Sequence, residues 1–287
     1  MRVSEPPSLA PEVLSARIRK IREAYSNCTL CSQRCGADRS RDPSGVCRLG
    51  EEAFVYREYL HFGEEPWISP SYTVYLSGCN LRCLFCSEWN PVTRPARHGV
   101  RLEPGGLAQR IAHSFDNGAK SLSFVGGEPG VNLLPVLETL ALLPRDWPVV
   151  WNTNGMGILE SFGFLEGLVH TWLVDWKFGN TKCAGEVSGF QSAADEVFRA
   201  SAFLQGKGET LSLRHLVMPG HLECCTLPVM ERWSDQFGST PFNLMTSFLP
   251  PAAERGAWRV QSGQSSRLED CLKRFASPFL FLNGHPL

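Results

Sequence analysis

The chain has 287 residues, 43% hydrophobic and 20% charged, with 28 basic and 29 acidic side chains and a net charge of −1. This is globular composition, long enough for one large α/β domain and a small accessory piece, and it excludes a disordered chain. No block of like charge stands out, so no nucleic acid and no anionic membrane is expected as a partner.

At the start, Met1–Pro11 carries Glu5, Pro6 and Pro7 where a secretory signal needs an apolar core. The most apolar stretch, Leu133–Leu143, contains Pro135 and Glu138 and is too short to span a bilayer. A cytoplasmic location is expected. Between Leu9 and Ala24, Leu9, Val13, Leu14, Ile18 and Ile21 recur at near-helical spacing among Arg17, Arg19, Lys20 and Arg22, which predicts a surface helix buried on one face. Asn27–Leu49 has little apolar periodicity and several turn residues, and needs a crosslink to hold a shape. From Pro70 onward, short apolar runs predict buried parallel strands at Tyr72–Leu76, Ser121–Val125, Val149–Asn152, Thr171–Trp176, Leu211–Val217 and Pro241–Met245. Helical segments fall between them at Gly105–Asn117, Leu133–Leu143, Ser192–Gln205 and Leu227–Phe237. This β-α alternation predicts an α/β fold of six units, a parallel barrel or open sheet short of the full eight strands. Gln261–Ser266 reads as a short polar loop. Three units follow: 1–70, a helix with a four-cysteine metal-binding module; 71–250, the core partial barrel; and 251–287, a C-terminal extension packed on it.

Eleven cysteines in a reducing compartment are not a disulfide framework. Four lie between Cys28 and Cys47 and three between Cys79 and Cys86, while Cys183, Cys224, Cys225 and Cys271 are scattered. Two metal sites are the economical reading. The segment Ser77-Gly78-Cys79-Asn80-Leu81-Arg82-Cys83-Leu84-Phe85-Cys86 follows the first predicted strand and has the spacing C-x3-C-x2-C. Three thiolates on one compact loop bind three irons of a cubane cluster and leave the fourth iron open to a small molecule. A structural zinc loop lacks a fourth ligand nearby, the next histidine being His98.

With Phe85 before its last cysteine, this loop resembles the signature of the radical S-adenosylmethionine (SAM) superfamily. The resemblance implies an incomplete (β/α)6 barrel in which Cys79, Cys83 and Cys86 hold a [4Fe-4S] cluster and Phe85 lies near adenine. The open iron would chelate the amino and carboxylate groups of SAM, and reductive cleavage would give a 5′-deoxyadenosyl radical that abstracts hydrogen from a substrate. It also implies a reducing partner such as flavodoxin or ferredoxin, and a protein or small-molecule substrate. Gly126-Gly127-Glu128-Pro129, at the end of the second predicted strand, resembles the segment that meets the methionine amino group, with glycines permitting close backbone approach. At later strand ends Asn154, Lys177 and Arg214 look like residues that contact the ribose and carboxylate. The competing reading is a structural Asp175–Lys177 link and an Arg214 satisfied by backbone. His215 stands between core and site. Trp89, Trp151, Trp172 and Trp176 are expected in the core.

Cys28, Cys31, Cys35 and Cys47, spaced C-x2-C-x3-C-x11-C, suit zinc or a second iron-sulfur cluster equally by ligand type. Their surroundings, with His61-Phe62-Gly63-Glu64-Glu65-Pro66 and Arg214–Gly220, resemble the pyruvate formate-lyase activating enzyme-like proteins of unknown substrate, for which activation of a glycyl-radical-type protein is one expected reaction. Ser87-Glu88-Trp89-Asn90 and Met245-Thr246-Ser247-Phe248 depart from that group's pattern, which leaves modification of a peptide, nucleoside or small metabolite as the alternative. A reading of another class is a non-catalytic iron-sulfur or zinc redox protein.

Overall fold

The computed structural model describes residues 9–144, 146–249, 251 and 264–287. Ten strands form one sheet: β1 (Phe54–His61), β2 (Ser71–Leu76), β3 (Val100–Arg101), β4 (Ser121–Gly126), β5 (Val149–Thr153), β6 (Thr171–Asp175), β7 (Leu211–Leu216), β8 (Phe242–Met245), β9 (Leu280–Leu282) and β10 (His285–Pro286). Their spatial order is β10-β9-β8-β7-β6-β5-β4-β2-β1-β3. All neighbours from β2 to β9 pair in parallel, whereas β1, β3 and β10 pair antiparallel at the two margins. The helices are α1 (Pro11–Ala24), α2 (Trp89–Thr93), α3 (Pro95–His98), α4 (Pro104–Asp116), α5 (Leu133–Leu140), α6 (Leu159–Gly163), α7 (Thr181–Ser188), α8 (Ala193–Gly206), α9 (Leu227–Phe237) and α10 (Gln264–Arg274). Among the described residues no helix is long and apolar enough to cross a membrane.

Side chains alternate between the two faces of a strand, and register aligns them into rows. One row runs Val74, Phe124, Trp151, Trp172, Leu211, with Leu213, Phe242 and Leu280 continuing it, all paired across neighbouring strands and buried in the main core. This row faces the helices. The opposite row begins with small or polar residues: Ser71 opposite Ser121, and Thr73 opposite Ser123 opposite Val150. Ile68 packs with Val150 and Leu173 to plug that end, and Ser121 Oγ donates to the Ile68 carbonyl at 2.6 Å. At the C-terminal strand ends the same row carries Val125, Asn152, Asp175, Arg214 and Met245, which line an open cavity. The functional end of the sheet is therefore set by strand direction and side-chain parity.

The six expected strands are the six longest parallel ones, with ends displaced by one or two residues at most. Four additions, β1, β3, β9 and β10, come from stretches without a strong pattern. Strand β1 carries Arg57 and Glu58 because only one of its faces is buried, and β9 has three residues. From Gln264 the expected polar loop is the start of helix α10, while 261–263 lie outside the described residues. Residues 1–8, covering most of the Met1–Pro11 stretch, also lie outside them. Trp151, Trp172 and Trp176 are core, as expected, and Trp89 is partly exposed.

His215 belongs to the helix-facing row and so to the core. Its Nδ1 lies 2.7 Å from the Trp176 carbonyl, which can only accept, so Nδ1 carries the hydrogen and Nε2 accepts from Thr226 Oγ1 at 3.0 Å. Burial pushes this imidazole down from 6.5 to about 4. Between those values the unfolded chain binds a proton that the folded chain refuses, so stability is full above 6.5, falls as pH drops, and levels off below 4. Relative to His215→Gln, the native protein should lose up to about 3 kcal/mol over that window in denaturant titrations. A pH-independent difference between the two proteins contradicts this assignment.

Candidate active site

The cysteine loop leaves β2 at a point where only glycine fits. Gly78 has φ +78, and a Cβ there would lie 2.6 Å from Leu49 Cδ1 and 2.9 Å from the Cys47 carbonyl. The loop backbone is held from outside: Leu84 N donates to Val187 O at 2.8 Å and Arg82 N to Ser188 O at 3.0 Å, both at the end of α7. The Arg82 guanidinium donates to the Cys79 and Leu81 carbonyls at 2.7 and 2.8 Å, and to Val46 O. This leaves the thiols of Cys79, Cys83 and Cys86 on a cavity of about 310 Å³. Burial pushes Cys83 up to about 12 and Cys79 well above the ordinary thiol range. A metal bound here would therefore have to displace protons.

The cavity is also lined by Phe85, Gly126, Gly127, Asn154, Lys177 and Arg214, so residues far apart in the chain converge on the cysteine loop. Phe85 forms an aromatic group with Phe178 and Phe248, each at 6.4 Å between ring centroids. Asn154 Nδ2 donates to Asn80 Oδ1 at 2.9 Å and approaches Cys79 Sγ at 3.5 Å. Asn80 was not singled out by sequence reasoning, although it sits inside the motif. Lys177 pairs with Asp175 at 2.6 Å. Burial works against the ammonium, but Asp175 and the neighbouring thiols outweigh it and raise Lys177 above its ordinary value.

Two expected contacts differ in detail. Glu128 is buried and does not line the cavity; its carboxylate accepts from Thr153 Oγ1, Asn154 N and Gly130 N, each at 2.8 Å. Burial nevertheless pushes it up to about 7. Its side chain fastens the end of β5 to the glycine turn and does not reach into the cavity. The glycines are demanded by protein backbone: a Cβ on Gly127 would lie 1.9 Å from Gly78 O, and one on Gly126 2.4 Å from Leu76 O. Gly127 N and Glu128 N bond to Leu76 O and Gly78 O at 2.8 and 3.0 Å, which clamps the turn to the cysteine loop.

Arg214 is satisfied by carboxylates and not by backbone. Its Nε lies 2.7 Å from Glu65 Oε1, its Nη2 is 2.6 Å from Glu64 Oε2, and it also bonds Glu65 Oε2. Burial alone would raise Glu64, but Arg214 outweighs it and pulls that carboxylate down to about 2. The His61–Pro66 stretch thus supplies the partners for a strand-end arginine roughly 150 residues away.

Cys28, Cys31, Cys35 and Cys47 pack directly against this region. Gln33 Nε2 donates to Asn80 O at 2.7 Å, and Ser32 N to Met156 O at 2.9 Å. A Cβ on Gly45 would lie 3.4 Å from Cys35 Sγ and 3.9 Å from Cys47 Sγ, so both thiols flank that turn. Beside them Arg39 is buried over the Tyr25 ring at 3.9 Å and donates to the carbonyls of Leu49, Gly50 and Val131. These carbonyls are uncharged, so an anionic metal–thiolate centre would supply the missing counter-charge. Of the scattered cysteines, Cys271 lies in the main core, while Cys183, Cys224 and Cys225 come together with His221.

A family model described as the radical SAM superfamily matches residues 73–227. An uncharacterized protein of Methanocaldococcus jannaschii is 35% identical over 246 residues, 84% of this chain and 71% of that protein. SuiB of Streptococcus suis, solved with bound S-adenosylmethionine, is similar with a TM-score of 0.56 at 14% identity, over 71% of this chain and 47% of its own. A radical SAM methyltransferase from Sphaerobacter thermophilus is similar with a TM-score of 0.52 at 16% identity, over 75% of this chain and 66% of its own. The chain spans about half the length of SuiB, and both likenesses are of fold. The family match and the archaeal relative together establish that the chain belongs to the radical SAM superfamily, whose members use a [4Fe-4S] cluster and S-adenosylmethionine.

Proposed function

We propose that Cys79, Cys83 and Cys86 hold the [4Fe-4S] cluster and that the adjoining cavity binds S-adenosylmethionine. The observation that carries this reading is the convergence of the three thiols with Phe85, Gly126, Gly127, Asn154 and Lys177 on one cavity. When bound, the cluster supplies the electron that cleaves the sulfonium C–S bond and yields a 5′-deoxyadenosyl radical.

The chain's own residues bind and orient. The backbone at Gly126 and Gly127 faces the cavity where an ammonium group needs acceptors, and Phe85 offers a flat apolar surface to adenine. Lys177 supplies a partly buried positive charge for a carboxylate, with Asp175 keeping it protonated. Asn154 lines the cavity beside Cys79, with its amide 3.5 Å from the Cys79 sulfur, and would offer a polar group to a ribose hydroxyl. Arg214 is held by Glu64 and Glu65, so it braces the wall and presents only its remaining edge. Cys28, Cys31, Cys35 and Cys47 bind a second metal centre whose negative charge Arg39 offsets. By ligand type the four thiolates suit a second iron-sulfur cluster or a zinc ion.

The protein, reconstituted anaerobically with iron and sulfide and reduced with dithionite, should release 5′-deoxyadenosine or methylthioadenosine from S-adenosylmethionine. Cys83→Ala should abolish release, and a confirmed cluster with no cleavage overturns the proposal. The finer reading is activation of a glycyl-radical protein. It is supported by the stretches around Cys28–Cys47 and His61–Pro66, which resemble activating-enzyme relatives. With an anaerobic extract of cells grown on α-deuterated glycine, the product should be deuterated 5′-deoxyadenosine. Deuterium-free product formed alongside a modified small molecule contradicts the finer reading and leaves the coarser one standing.

A further inference from the structure

Cys183 comes from a different segment of the chain than His221, Cys224 and Cys225, and all four fall outside the cavity, yet one ligand atom from each lies within 4.8 Å of the others. His221 Nδ1 is 3.4 Å from Cys224 Sγ and 3.8 Å from Cys225 Sγ. A tetrahedral zinc ion with ligands about 2.0–2.3 Å away sets ligand atoms about 3.3–3.8 Å apart. We infer that these four residues bind a single borderline-soft divalent ion of the zinc type in a closed Cys3His site.

The backbone is shaped for this. Adjacent cysteines on an ordinary helix point about 100° apart, but Leu222–Thr226 is a π-helical turn in which Thr226 N reaches back to His221 O at 3.2 Å. The wider turn brings both neighbouring thiols round to His221. Across from it, Gly179 has no side chain where a Cβ would lie 2.7 Å from Cys224 O and 2.8 Å from Cys225 Cα, so the chain entering α7 comes close. Asn180 then fixes Cys183: its Oδ1 accepts from Cys183 N at 2.8 Å, and its Nδ2 donates to Cys224 O at 2.6 Å. The same Nδ2 lies 3.4 Å from Cys183 Sγ, an amide donor suited to a metal-bound thiolate. Cys183 and Cys225 are buried, and Cys224 and His221 are partly exposed, which leaves a path for the ion to enter.

The ion ties the start of α7 to the turn before α9. The other end of α7 carries the Val187 and Ser188 carbonyls that hold the cysteine loop. Cys183 and Cys225 also share one apolar cluster with Cys79 and Cys83, so the ion braces the support of the active-site loop. Binding exchanges up to three thiol protons for the metal and involves no redox change.

Full-length protein purified anaerobically from zinc-supplemented cells should lose about one zinc equivalent per chain in the variant Cys183→Ser/Cys224→Ser. X-ray absorption at the zinc edge of the native protein should show nitrogen beside sulfur ligands, and His221→Cys should keep the ion while removing the nitrogen. Unchanged zinc in the double variant overturns the inference. Where that variant does not fold, alkylation of the native chain followed by peptide mass spectrometry decides. Cys224 should be protected until a chelator is added. Equal labelling before and after chelation, or protection released only by a thiol reductant, overturns it.

Discussion

A parallel strand shows alternate side chains to its two faces, and in this chain that division separates packing from chemistry. Phe124, Trp151, Trp172, Leu213 and Phe242 fill the layer between sheet and helices. Their neighbours one residue along turn inward, where Ile68 closes one end and the other remains open. Because the strands from β2 to β9 run in one direction, the inward residues Asn152, Asp175 and Arg214 near their C-terminal ends open on the same cavity. Moving any of these strands by one residue would exchange the two rows and put Asp175 and Arg214 against the helices.

The cysteine loop depends on this frame without forming part of it. The Cys79 and Cys83 thiols are buried, which favours their protonated form, so a metal bound there would have to displace protons while the loop keeps its shape against that cost. Three neighbours do so. The Gly126–Gly127 turn lies on it backbone to backbone, the end of α7 accepts its amides, and Gln33 reaches it from the amino-terminal cysteines. Glu128 and Arg214 belong to the same supporting layer. Each is a charged group near the cavity whose bonds run mostly to protein, and their rigidity is what the cavity gains from them.

Much of this is readable in the amino-acid sequence, for definite reasons. Runs such as Ser121–Val125 and Leu211–Val217 are apolar enough on one face, and short enough, to fit only buried strands, and Cys79–Cys86 is a compact ligand set by spacing alone. Pairings between distant segments are not readable. Nothing local in His61–Pro66 says that Glu64 and Glu65 will meet Arg214, and Cys183 gives no sign of lying beside Cys224 and Cys225. Strand β9 is too short for periodicity to register, and β1 is masked by charges on its exposed face. Glu128 was legible as important but not in its role, because a motif names a residue without saying which way its side chain turns.

The central claim is that the cysteine loop and the cavity beside it form one site, in which a small molecule reaches the cluster itself. Electron paramagnetic resonance of the reduced protein, with Cys28 and Cys31 replaced so that only the Cys79–Cys83–Cys86 centre contributes, tests this most directly. Adding S-adenosylmethionine should change the g-values of the cluster signal. A signal of full intensity that stays the same with and without S-adenosylmethionine would contradict the account and point to a simple electron carrier.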